Sequence, residues 1–64
     1  MAISQRIMER RKALGMTQEQ LAERIGTSRV YITYLETGVK VPSLAMLKSV
    51  AAALECKAGD LIDD

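Results

Sequence analysis

The sequence predicts an all-α domain of five short helices, and three observations carry that expectation. Apolar residues fill 48% of the 64 positions but aromatics only 3%, and Ala, Leu, Ile, Val and Met recur at helical rather than alternating spacing. Cap and stop residues punctuate the chain: Thr17, Ser28 and Ser43 as starts, Gly15, Gly26 and Gly38 as stops. One stretch, Thr17 to Glu36, reads as two amphipathic helices around a glycine turn, each too short to stand alone in water. The remaining elements are therefore expected to hold that pair.

A first helix is expected over residues about 3–14. Ile3, Ile7, Met8 and Leu14 lie along one side, with Arg6, Glu9, Arg10 and Lys12 pointing outward and Ser4 as an early cap. Arg11 falls close to the apolar stripe, where a cation wants a partner. Thr17-Gln18-Glu19-Gln20 fits a capping box that opens a second helix over about 18–25. Leu21, Ala22 and Ile25 mark its inner side, and Ala22 is small enough for a close helix crossing. Ser28 caps a third helix over about 29–36. Pro42 and Ser43 lead into a fourth over about 44–54, with Leu44, Leu47, Val50, Ala51 and Leu54 as its stripe. A last turn over about 58–62 brings in Leu61 and Ile62.

The totals bound the function. At 64 residues the chain is one domain near the lower size limit for a core without metals or disulfides. No apolar run is long enough to span a bilayer, and no signal-peptide pattern is present. With no His, one Cys, no phosphate-binding glycine loop and no paired carboxylates, neither an enzyme nor a metal or cofactor site is expected. Net charge is +1, but unevenly spread: residues 1–54 hold eight Lys or Arg against four Glu (+4), and residues 55–64 hold one Lys against four Asp or Glu (−3). A basic body with an acidic end suits a phosphate-binding surface, although a solvated surface with chance asymmetry has the same totals.

The third helix can be divided by angle, at about 100° per residue with Ile32 at the centre of the buried side. Ser28 and Leu35 share that side, with Tyr31 and Glu36 at its margins. Val30, Thr33, Tyr34 and Thr37 fall opposite, and Arg29 lies at the flank near the N-terminus. Arg29, Val30, Thr33 and Tyr34 are therefore the candidates for contact with base edges. Arg29 could bridge guanine O6 and N7, or bind phosphate, or stand solvated. Val30 could meet a thymine methyl or pack on the turn. Tyr34 suits a base edge or a phosphate, whereas Tyr31 suits packing. Gln18 starts a helix, where unpaired amides favour an anion. Thr27 and Ser28 could contact phosphate in the same way, or act simply as caps. Cys56 fits an apolar site between the last two helices, with a redox switch or a disulfide across a dimer as the sharper alternative.

These residues together resemble the lambdoid repressor/Cro-type (XRE-family) helix-turn-helix DNA-binding proteins. The likeness runs from about residue 3 to 62 and is carried by Arg11, Leu14-Gly15-Met16-Thr17-Gln18, Leu21-Ala22, Ile25-Gly26, Ser28, Ile32, Leu35-Glu36, Gly38, Pro42-Ser43-Leu44, Leu47, Ala53-Leu54 and Leu61. The resemblance implies a compact lambda-repressor-like five-helix domain that places the third helix in the major groove of double-stranded DNA as a homodimer. It implies that Gln18 touches phosphate and braces residue 29, that Lys40 contacts the DNA backbone, and that Arg11 pairs with Glu36 and also lies near phosphate. It puts the dimer interface at the fourth and fifth helices, here Cys56, Leu61 and Ile62. Two departures stand out: Val39 and Val41 flank Lys40 where further basic residues are common, and Lys57 replaces the usual Ser or Thr cap.

The expected function is sequence-specific transcriptional regulation, as a dimeric repressor reading an inverted-repeat operator. A protein of this kind would be cytoplasmic, bacterial or phage-encoded and nucleoid-associated, with no membrane contact and no small-molecule ligand. The alternative is a helix-turn-helix protein acting mainly through protein contacts, antitoxin-like or anti-repressor-like, which the low net charge and the missing loop cations would suit.

Overall fold

The structure is a computed structural model that describes residues 2–62; Met1 and the acidic Asp63 and Asp64 lie outside the described residues. Five helices follow in order: α1 Ile3–Ala13, α2 Gln18–Ile25, α3 Arg29–Thr37, α4 Leu44–Ala53 and α5 Ala58–Leu61. Their principal contacts close a ring, α1 on α3, α3 on α2, α2 on α4, α4 on α5 and α5 back on α1. Inside it lie Ile7, Met16, Leu21, Ala22, Ile32, Leu35, Leu47, Val50, Ala51, Leu54 and Leu61. Every helix gives at least one side chain to this core, so burial supplies the stability that helices this short lack alone. Among the described residues no helix is long and apolar enough to cross a membrane.

Local chemistry sets the boundaries. The Thr17 hydroxyl accepts the Gln20 amide at 3.0 Å and the Gln20 side chain accepts the Thr17 amide at 2.9 Å, a complete capping box. Ser28 caps α3 by accepting the Tyr31 amide, and Ser43 caps α4 by accepting that of Met46. Gly26 ends α2 at φ 82°, letting the Thr27 amide reach back to the Ala22 carbonyl at 2.9 Å. That reversal brings α3 across α2.

Several expectations are corrected. Ser4 does not cap α1, which starts at Ile3 behind Ala2 with no side-chain cap. α3 runs on through Thr37, whose hydroxyl donates to the Thr33 carbonyl, and α1, α4 and α5 each stop one residue early. Leu44 is 66% exposed instead of lying on the core stripe; Met46 is the first α4 side chain packed against the core and Leu47 the first one buried in it. Arg6 and Arg10 do not point outward. Arg10 donates to the carbonyls of Leu54 and Glu55 at 3.0 and 3.2 Å, and Arg6 to that of Asp60 at 3.3 Å, so α1 closes the unpaired carbonyl ends of the last two helices. At α5 an ammonium at residue 57 cannot accept a hydrogen bond; the Asp60 carboxylate instead accepts the Lys57 amide at 2.9 Å.

The end of α4 has the same reversed hydrogen bonds as the end of α2, Cys56 amide to Ala51 carbonyl and Glu55 amide to Ala52 carbonyl, but with a glutamate in the left-handed position at φ 58°. A side chain there costs roughly 1–2 kcal/mol, partly offset by the greater freedom that glycine gives the unfolded chain. The Glu55 carboxylate stands 3.8 Å from Arg24 with both side chains exposed, so its loss costs little. Glu55→Gly is expected to stabilise the protein by about 0.5–1 kcal/mol, a rise of roughly 2–8 °C in Tm by calorimetry. An unchanged or lower Tm would show that the left-handed glutamate is not strained.

Candidate nucleic-acid interface

α2 and α3 meet through a chain of polar side chains rather than apolar contact alone. At its buried end the Arg11 guanidinium donates to the two Glu36 oxygens at 2.6 and 3.0 Å and to the Met16 carbonyl at 2.7 Å. Arg11 is 8% exposed and Glu36 7%. The expected ion pair is therefore formed, and it ties α1 to the far end of α3. Three of the five Arg11 N–H groups are engaged inside the fold, two on Glu36 and one on the Met16 carbonyl.

Glu36 then passes the connection outward. Its Oε1 accepts a third hydrogen bond from the Gln18 amide nitrogen at 3.0 Å. A carboxylate accepts only, so Gln18 must turn its NH2 inward and its carbonyl oxygen toward α3. That oxygen accepts from the Thr33 hydroxyl at 3.0 Å and from Arg29 at 3.4 Å. The bridge Arg11–Glu36–Gln18–Thr33/Arg29 thus runs from core to surface. Because Gln18 is the first residue of α2, it fixes the N-terminus of one helix against the outer side of the next.

The outer side of α3 carries an unusual mix for exposed positions. Val30 is 51% exposed and Tyr34 37%, with Arg29 exposed before them and Thr33 half-buried between them. Thr33 has one hydroxyl proton, with Gln18 and the Arg29 carbonyl at 3.1 Å both in reach; toward a ligand it offers its methyl and an acceptor lone pair. Tyr31 is half-buried and packs against the core. Lys40, after α3, stands beside both tyrosine rings. Ser28 is exposed and Thr27 half-buried at the turn. Gln18, Thr27, Ser28, Arg29, Val30, Thr33, Tyr34 and Lys40 therefore lie along the α2–turn–α3 unit and the loop that follows it. Thr33 as a second partner of Gln18 was not foreseen: the two are 15 residues apart and no local pattern links them.

The other end of the molecule separates residues that the sequence grouped. Leu61 is 1% exposed and belongs to the core of the single chain, whereas Ile62 is 42% exposed and Cys56 half-buried beside Arg10. Burial pushes the Cys56 thiol above its ordinary pKa; the Arg10 charge and hydrogen bond pull against this, and Asp60 adds to it. The folded protein therefore keeps a proton that the unfolded chain gives up, so this group's contribution to stability is full below the ordinary thiol range and falls as pH rises through and above it. Alkylation by iodoacetamide at pH 8 should be slower in the native protein than in urea; equal rates would contradict a protected thiol.

Two capped helices around a left-handed glycine, with the second presenting an exposed polar and apolar side, define a helix-turn-helix DNA-binding module. The Helix-turn-helix (HTH_3) family model matches residues 7–61, and the chain belongs to that family. It is similar to an uncharacterised HTH-type transcriptional regulator of Methanothermobacter thermautotrophicus, 52% identical over 48 residues that span 75% of this chain and 70% of the relative. Among solved structures it resembles the P22 c2 repressor in complex with a synthetic operator, at 30% identity and TM-score 0.92, covering 98% of this chain and 96% of the other. It also resembles the biofilm regulator SinR in complex with DNA, at 34% identity and TM-score 0.88, covering 95% and 98%. The fold is that of lambda-like repressor domains, and the family is one of DNA-binding transcriptional regulators, not enzymes.

Proposed function

We propose that this transcriptional regulator is a repressor that binds an inverted repeat in duplex DNA as a homodimer, with α3 in the major groove. The observation that carries the reading is the side of α3 formed by Arg29, Val30, Thr33 and Tyr34, exposed yet braced by Gln18 against the start of α2. In this reading Arg29 bridges a guanine, Val30 and the Thr33 methyl meet thymine methyls, and Tyr34 lies along a base edge. The amides at the start of α2, with Gln18, Thr27, Ser28 and Lys40, hold the phosphates on either side. The domain extends 28 × 23 × 19 Å, so two copies side by side can present their α3 helices to half-sites one helical turn, roughly 34 Å, apart. Cys56 and Ile62 lie at the edge where such copies would meet, backed by Leu61 from within.

The test is duplex binding across a salt series, starting with the DNA upstream of the protein's own gene. Expected are protection of an inverted repeat and an affinity that falls linearly on a log–log salt plot. Undetectable binding to every duplex at low salt, or binding insensitive to salt, would sink the reading and leave the protein-contact alternative.

A further inference from the structure

Tyr31 and Tyr34 lie three residues apart on α3, and a single ammonium stands beside both. Lys40 Nζ is 5.9 Å from the centroid of the Tyr31 ring and 5.7 Å from that of Tyr34, each within the roughly 6 Å reach of a cation–π contact. The backbone sets this up: Gly38 reverses the chain at φ 80° and the Lys40 amide donates to the Tyr34 carbonyl at 3.2 Å. On either side Val39 and Val41 are 66% and 80% exposed, so the valines do not anchor the loop in the core. Three of the eight cations of the basic body are committed elsewhere: Arg11 to Glu36, Arg10 to the end of α4, and Arg24 to the Ala53 carbonyl. Arg29 and Lys40 are the cations on and next to α3.

We propose that the two rings form an aromatic clip that holds the Lys40 ammonium ready for a DNA phosphate, with Tyr31 as a positioning residue that does not itself touch DNA. The inference rests on the DNA-binding reading above and names how one phosphate contact is made. A lysine on an exposed loop loses rotamer freedom when it grips a phosphate. Two ring faces restrict it beforehand, leaving its outward N–H groups for phosphate oxygens, so less is lost on binding. Tyr34 also belongs to the candidate reading side, so Tyr31 is the cleaner probe.

The experiment uses the full chain and a mixed-sequence DNA duplex at low salt, followed by fluorescence anisotropy. Tyr31→Leu is expected to weaken binding about three- to ten-fold, and Tyr31→Phe, which keeps the ring, to restore it. In a Lys40→Met background Tyr31→Leu should cause no further loss, because the pair then has nothing to couple. NMR gives a second readout: the Lys40 ε-methylene protons should be shifted upfield by the rings in the unbound protein and move back in Tyr31→Leu. Equal losses in both backgrounds, a Tyr31→Phe as weak as Tyr31→Leu, an unshifted ε-methylene, or Lys40→Met binding like wild type would each overturn the clip while leaving DNA binding intact. Failure of the wild-type protein to bind this duplex and every other tested at low salt would overturn the DNA-binding reading, and the clip with it.

Discussion

Glu36→Ala is expected to leave the domain largely unfolded at 25 °C. The substitution strands the Arg11 guanidinium at 8% exposure without its carboxylate, and breaking a buried pair from one side costs about 3–5 kcal/mol. A domain of this size rarely holds more than roughly that much in total. Loss of most helical circular dichroism, or a urea midpoint near zero, is the expected measurement. Arg11→Lys should fail in the same direction, since a single ammonium cannot reproduce the fork that spans both Glu36 oxygens and the Met16 carbonyl. The double variant Arg11→Met, Glu36→Leu should recover much of the stability, because apolar residues of similar volume remove both charges at once. It would still lack the acceptor that anchors Gln18, so it should fold yet bind DNA more weakly than wild type. A Glu36→Ala protein within about 1 kcal/mol of wild type would show that the ion pair does not hold α1 to α3.

Arg29→Ala is expected to lower operator affinity by about 5- to 150-fold, the range for loss of one bidentate base contact of about 1–3 kcal/mol. Stability should barely change, since Arg29 is exposed and its fold contact, to Gln18 at 3.4 Å, is long. Operator variants distinguish its roles. A base-reading arginine loses discrimination at one base pair when removed. A phosphate-binding arginine instead weakens all sequences alike and reduces the salt slope by about one. Tyr34→Ala should likewise weaken operator binding without unfolding the protein. If both variants leave operator binding at wild-type strength, the exposed side of α3 is not what reads DNA.

Much of the fold was legible because its signals are local. The Thr17–Gln20 box, the Ser28 and Ser43 caps and the Gly26 stop each act within one helical turn, and each appears in the structure at the residue that carries it. The errors fell where a local rule met a tertiary demand. Ser4 had the chemistry of a cap, but α1 had already begun at Ile3. Leu44 fitted the helical period, yet at the first residue of α4 it lies off the core, which the helix meets from Met46 on. Arg6 and Arg10 stood on the polar side of α1, but the open carbonyl ends of α4 and α5 lay within reach of their long side chains.

The same division runs through the candidate interface. From the residues themselves came the five helices, the apolar stripes, the glycine turn and the outer side of α3, because period and capping are properties of neighbours along the chain. The likeness to lambdoid repressors added the Arg11–Glu36 pair. The likeness also added the bracing of residue 29 by Gln18, but only the tertiary structure decided that Gln18 bonds Glu36 and Thr33 as well, that Arg10 closes α4, that Leu61 is core while Ile62 is surface, and that Lys40 sits beside two rings. Those contacts join groups 18, 15 or 44 residues apart, as in Gln18–Glu36, Gln18–Thr33 and Arg10–Leu54. At such separations a hydrogen bond forms only after the packing of the helices has brought its donor and acceptor within 3 Å or so of each other.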